Sequence, residues 1–164
     1  MNDSFYCPQC GEDHESLLTD KAFQQPDEIF ELSYLDQYVR TRGNGDLCTL
    51  DESRYFLRGV IEVPFQYTDD YFAFGTWAEV SKSDHDLYVQ HFEIDGSTLD
   101  RLSGRLANDI PYYQEPTLGL VVEIQLGLPN ARPSIHLPLA SRHPLALEQQ
   151  NGMSAARHHE IAED

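Results

Sequence analysis

The chain reads as an α+β domain, a mostly antiparallel sheet with helices packed on one face and a small zinc knuckle at the N-terminus. Three observations predict it. The runs 54–65 (RYFLRGVIEVPF) and 71–80 (YFAFGTWAEV) are dense in β-branched and aromatic residues and alternate at about period two. Helix signals follow them: a Ser/Asp cap near residue 83 and a proline at 144, suited to a first helical turn. The stretch 7–14, CPQCGEDH, holds a Cys-x-x-Cys pair followed by glycine, the pattern of a tight metal-binding turn.

Residues 1–16 form the polar knuckle module, 17–46 are irregular and acidic, and 47–164 form the core of a single domain. Leu32, Tyr34, Leu35 and Tyr38 space as a short helical turn, and Arg42-Gly43-Asn44-Gly45-Asp46 is a turn signal. Residues 47–51 and 54–65 make a hairpin across Asp51-Glu52-Ser53, with Gly59 marking a bulge or a close backbone approach. In 71–80, Phe72, Phe74, Thr76, Ala78 and Val80 share one face, opposed by Tyr71, Ala73, Trp77 and Glu79. Both faces are largely apolar, which predicts a central strand. Ser83 or Asp84 caps a helix through Phe92. Ser97 caps a second, where Leu99, Leu102 and Leu106 sit at helical spacing until Asp109-Ile110-Pro111. Residues 117–127 and 132–139 pair as another hairpin, the latter pushed toward a sheet edge by Pro133 and Pro138. A helix from Pro144 breaks at Gly152, and Ser154 recaps a final turn or two. The order is ββ-β-αα-ββ-α.

With 164 residues, 40% of them hydrophobic and 11% aromatic, the chain can bury one sizeable core. The start MNDSFYCPQC has no basic and apolar leader pattern, and no apolar run approaches the roughly 18 residues of a membrane span. Three cysteines, an odd number, suit free thiols or metal ligands in a reducing compartment, so a cytoplasmic location is expected. The net charge is −17 with two lysines, Lys21 and Lys82. Such a field repels nucleic-acid phosphates and favours solubility, a cation or a basic protein partner.

A tetrahedral zinc needs more than one cysteine pair. The ligand set expected is Cys7, Cys10 and Cys48 with His14, and His143 is the other candidate for the fourth position. Cys48 also reads as a small buried apolar residue. A redox dithiol lacks its usual βαβ setting here. In SRHPLALEQQNG, His143 precedes the helix and Glu148 lies five residues on, which marks a possible ligand or acid/base site. The alternative is that His143 caps the helix while Glu148 and Gln149 bond neighbouring loops. His158 and His159 read as a solvated helix end. The aromatics from Tyr55 to Trp77 are mostly core, with outward tyrosines available for recognition. No nucleophile motif, phosphate loop or His-Glu-x-x-His helix is present.

The segments CPQCGEDH (7–14), LCTLDESRYFLRGVIEVPF (47–65), YFAFGTWAEVS (71–81), IPYYQEPTLGL (110–120), RPSIHL (132–137) and HPLALEQQNGMS (143–154) resemble, in order, the bacterial family called domain of unknown function 2199. The resemblance implies a small cytoplasmic protein with an N-terminal cysteine pair and no assigned activity, and it raises Cys48 and His143 as site residues. Two functions are expected from different classes. One is a non-catalytic, zinc-stabilised acidic binding protein, in its concrete form an immunity-type inhibitor of a basic toxin that acts on nucleic acid. The other is an enzyme of unknown reaction using His143 and Glu148 or an open-coordination zinc.

Overall fold

The computed structural model describes residues 5–7, 12–14 and 18–163. In chain order the elements are β1 (Phe5–Cys7), β2 (Glu12–His14), β3 (Asp20–Ala22), α1 (Asp27–Phe30), α2 (Tyr34–Arg40), β4 (Thr41–Gly43), β5 (Leu47–Leu50), β6 (Arg54–Pro64) and β7 (Tyr71–Val80). They continue with α3 (Lys82–Gln90), β8 (Leu102–Leu106), β9 (Val121–Gln125), β10 (Ser134–His136), α4 (Pro144–Asn151) and α5 (Ala155–Glu163).

The two long aromatic runs form the antiparallel ladder β6–β7, in register from Tyr55↔Val80 to Pro64↔Tyr71. From β7 the sheet continues through β8, β9 and β10, each antiparallel to the last, and β10 returns to pair with β6 in parallel at Ser134↔Val60. Among the described residues, the mostly antiparallel sheet therefore closes into a five-stranded barrel. The expected mostly antiparallel sheet with helices on one face is thus closed into a barrel, with α3, α4 and α5 packing into its core. Closure depends on Gly59, which the sequence marked for close approach. A Cβ there would lie 2.8 Å from both Ile135 Cδ1 and Pro133 O, while Val60 N donates to that same Pro133 carbonyl at 3.0 Å. Proline at 133 costs the ladder nothing, because only its carbonyl is used. The 132–139 segment is thus the closing strand and not a free edge.

The even positions of β7, Phe72, Phe74, Ala78 and Val80, fill the barrel together with Leu57, Ile61 and Val63 of β6. Tyr88 of α3, Leu145 and Ala146 of α4 and Ile161 of α5 pack into the same core. On the outside of the wall, Trp77 joins Phe56, Cys48, Leu50 and Ala107 in a second cluster, covered by Ile29 of α1. β7 is buried on both faces, as its composition predicts.

The segment 97–109 is not a helix. Leu102 and Leu106 are buried at the two ends of strand β8. Their spacing of four satisfies a helix face and a strand face alike, because four is also an even number. Ser103 and Gly104 between them are weak helix formers, and a Cβ at 104 would meet Glu79 O at 2.8 Å. The segment expected to be irregular, 17–46, holds β3, α1, α2 and β4. β3 adds in parallel to β7, and β4 pairs with β5. The hairpin turn between β5 and β6 places Asp51 and Glu52 at positive φ, both 55°. Ser53 N donates to Leu50 O at 3.1 Å.

Candidate functional site

His143, a predicted site residue, stands at the N-cap of α4. Its Nδ1 accepts from Leu145 N at 3.0 Å, which places the ring proton on Nε2. That nitrogen donates to the carbonyls of Glu115 and Pro116, both at 3.1 Å. The imidazole is buried and its two nitrogens tie the start of α4 to the 115–116 loop. Glu148, one turn further, takes Arg157 Nε on both carboxylate oxygens, at 3.3 and 3.5 Å. Arg157 also donates to Tyr112 O and lies over the Tyr113 ring at 5.0 Å. Burial and the nearby Glu148 charge push the Tyr113 hydroxyl well above its ordinary pKa. Gln149 accepts from Leu137 N at 2.8 Å and donates to Ile135 O at 3.1 Å. These bonds follow the cap reading of HPLALEQQ. His143 and Glu148 are spent on joining α4, α5 and the 110–117 loop.

Of the predicted zinc ligands, the side chains of Cys7, Cys10 and His14 lie outside the described residues. Cys48 is buried on β5 among Ile29, Leu50, Phe56 and Trp77, and burial pushes its thiol up to about 12. Among the described residues no group of three or more His, Cys, Asp or Glu is placed to hold a metal ion. β1 touches α5, and α5 carries His158, stacked on Phe65 at 4.3 Å. Cys48 pairs with Phe56 of β6. Its surroundings fit the reading of a small apolar core residue.

His158 departs from the expectation of a solvated helix end. It is 2% exposed, and its Nε2 donates to Leu18 O at 2.7 Å while its Nδ1 meets the Tyr67 hydroxyl. The signal for this was a pattern: 158 and 161 lie three apart, so His158 shares the buried face of α5 with Ile161.

A site that the sequence only hinted at lies on α1 and α2. No residue of α2 is buried. Tyr34 is 89% exposed, Tyr38 76%, Phe30 73% and Leu35 68%, with Val39 beside them. Ser33 caps the helix by accepting from Asp36 N at 3.1 Å, and Glu31 and Asp36 stand exposed among the apolar side chains. Glu28 pairs with Arg54, which is also held by Glu79 through two bonds at 2.8 and 2.9 Å. Between this helical segment and β4 runs a cleft of about 960 Å³, with Trp77 and Cys48 at its floor. The cleft is anchored from below by Asn108. Its Oδ1 accepts from Trp77 N and Thr76 Oγ1, and its Nδ2 donates to Gln25 O and Asp27, all within 3.0 Å.

The family model described as "Uncharacterized protein conserved in bacteria (DUF2199)" matches residues 6–153. The chain belongs to the DUF2199 family. The match runs from the cysteine pair to the end of α4, so the barrel, the exposed α2 and the His143 cap all fall inside the DUF2199 region. No curated protein and no solved structure matches the chain. Among the described residues no helix is long and apolar enough to cross a membrane.

Proposed function

We propose that this DUF2199 protein is a non-catalytic binding protein, stabilised at its N-terminus by a structural zinc, that engages a basic protein through the α1–α2 surface. The observation that carries the reading is a helix with no buried residue, bearing Tyr34, Leu35 and Tyr38 outward next to Glu31 and Asp36. Rigid aromatic anchors ringed by acids suit a partner of opposite charge, with apolar contacts for affinity and charge for fast association. Exposed apolar groups gathered in one place mark interaction surfaces more often than scattered ones. The concrete form the −17 charge suits is an immunity-type inhibitor, in the bacterial cytoplasm, of a toxin whose cleft is built for nucleic acid. The use of both His143 nitrogens in fixed bonds supports the non-catalytic side of this reading.

Zinc is assigned to the knuckle, with Cys7, Cys10, His14 and Cys48 as ligands. Metal analysis of the purified protein is expected to give one zinc per chain, lost in Cys7→Ala and in Cys48→Ala. Retention in the latter would remove Cys48 from the ligand set. For the partner, the products of neighbouring genes are tested for capture by the immobilised protein. Capture of a basic protein, weakened by salt and abolished in Tyr34→Ser/Leu35→Ser, is expected. No capture even at low salt would overturn the proposal.

A further inference from the structure

The cleft beside β4 has a chemistry unlike the rest of the molecule. The chain holds 28 acids against 11 Lys and Arg, yet none of the side chains lining this cleft is acidic. Four of them are amides, Gln24, Gln25, Gln37 and Asn44. The one charged group, Arg42, is already occupied. Its Nη1 donates to the carbonyls of Tyr38, Val39 and Thr41 at 3.1, 3.2 and 2.7 Å, closing the C-terminal end of α2. The lining thus carries no acid and a single cation turned onto backbone carbonyls, and its amides, though Gln25 Nε2 donates to Gln37 Oε1 and Gln37 Nε2 to Leu32 O, keep further capacity to donate and accept.

One wall of the cleft is a strand edge. β4 is the outermost strand of its sheet among the described residues. Asp51 N donates to Arg40 O and Asn44 N to Leu47 O, so alternation in an antiparallel pair turns Arg40, Arg42 and Asn44 toward β5 and turns Thr41 and Gly43 away from it. Thr41 is satisfied by its own helix, since its N–H donates to Gln37 O. Gly43 remains, with its amide and carbonyl directed off the edge. Gly43 has φ 136°, and a Cβ there would fall 2.2 Å from Leu47 O. This backbone is therefore held open by a residue that no side chain could replace.

We propose that the cleft receives an extended, uncharged peptide segment of a partner protein, bound through its main chain to Gly43 and to the four amides. A peptide main chain alternates donors and acceptors, as do the side-chain amides and the β4 edge, and strand addition is a common use of such an edge. At about 960 Å³ the cleft is at the upper end of the roughly 300–1,000 Å³ of ligand sites. A lining that holds Arg42 and no acid disfavours a lysine-rich segment, and the net charge of −17 disfavours an acidic one. The inference rests on the binding-protein reading but not on its basic partner, which docks on Tyr34 and Leu35.

The test is an NMR titration of the full chain with four pools: short neutral peptides rich in Ser, Thr, Asn and Val, acidic peptides, lysine-containing peptides and neutral oligosaccharides. The neutral peptide pool is expected to shift the Gly43 and Asn44 backbone amides and the side-chain amides of Gln24 and Gln37, and to slow exchange of the Gly43 N–H. Asn44→Asp keeps the two bonds its side chain accepts, from Asp46 N and Leu47 N, so the fold is retained. It removes an amide donor and adds a charge, and neutral-pool affinity is expected to fall about fivefold, the equivalent of one lost hydrogen bond. Silence at Gly43 with every peptide pool at millimolar concentration would overturn the inference. So would a response to oligosaccharides alone, or to the acidic or lysine pool in preference to the neutral one. Capture of a basic protein through Tyr34 and Leu35 with the cleft silent to every peptide pool would overturn it while leaving the proposed function standing.

Discussion

His143 does two structural jobs with one ring, and its replacement separates them. His143→Ala removes the α4 cap and the link to Glu115 and Pro116, at a cost of about 2 kcal/mol in denaturant unfolding. Asn at the same position keeps an acceptor for Leu145 N and is expected to recover about half of that. A variant with native stability would show that neither bond matters. Titration offers a second residue-scale test. Burial lowers the pKa of His136 and of His158 below the usual 6.5, so the unfolded chain takes up these protons first. Their contribution is complete above pH 6.5 and is lost as pH falls from 6.5 toward the folded values. The urea midpoint is expected to drop between pH 7.5 and pH 5.5. At still lower pH, Glu28 and Asp51, held low by Arg54 and Arg40 respectively, add to the loss as they protonate. A midpoint flat between pH 7.5 and 5.5 would contradict the placement of His158 in the core and of His136 half-buried on β10.

At the scale of elements, the barrel closes where β10 meets β6, and the closest approach is at Gly59. Gly59→Ala puts a methyl group against Ile135 and the Pro133 carbonyl, and overpacking of this kind costs about 2 kcal/mol or more. The measurement is the unfolding midpoint, with Gly127→Ala as control, since a Cβ at Gly127 meets nothing within 4 Å. Equal effects at the two glycines would show that closure is not tight at Gly59. The sequence marked Gly59 for close approach, but not its neighbour. Neighbourhood in a barrel depends on which strands meet, and the parallel β10–β6 contact joins residues more than 70 positions apart. Strand β8 shows the complementary ambiguity. A spacing of four between leucines serves a helix and a strand equally, and pairing of Glu79 with Arg105 and of Ala78 with Leu106 decides for the strand.

For the whole molecule, exposed apolar side chains and excess negative charge coincide on α1–α2 while the barrel keeps its core independently of them. Tyr34→Ser/Leu35→Ser is therefore expected to change the melting midpoint little, within the ±0.5 kcal/mol usual for surface positions, and to remove capture of the basic partner. A large loss of stability would mean that α2 belongs to the fold and not to an interface.

The sequence by itself determined the elements with strong local signals: the β5–β6 hairpin with its turn at Asp51, the doubly buried β7, α3 and the proline-started α4 with its break at Gly152. It also carried the charge and the family. These follow from periodicity, turn chemistry and capping, all of which act over a few residues. Only the tertiary structure decided that the sheet closes on itself, that His143 is a cap and His158 a buried residue, and that Cys48 lies in an apolar cluster. It alone placed four amides and a free strand edge around one acid-free cleft. Each of those depends on chain segments far apart in sequence, and burial or a bond across such a distance is created by packing, which no local pattern records.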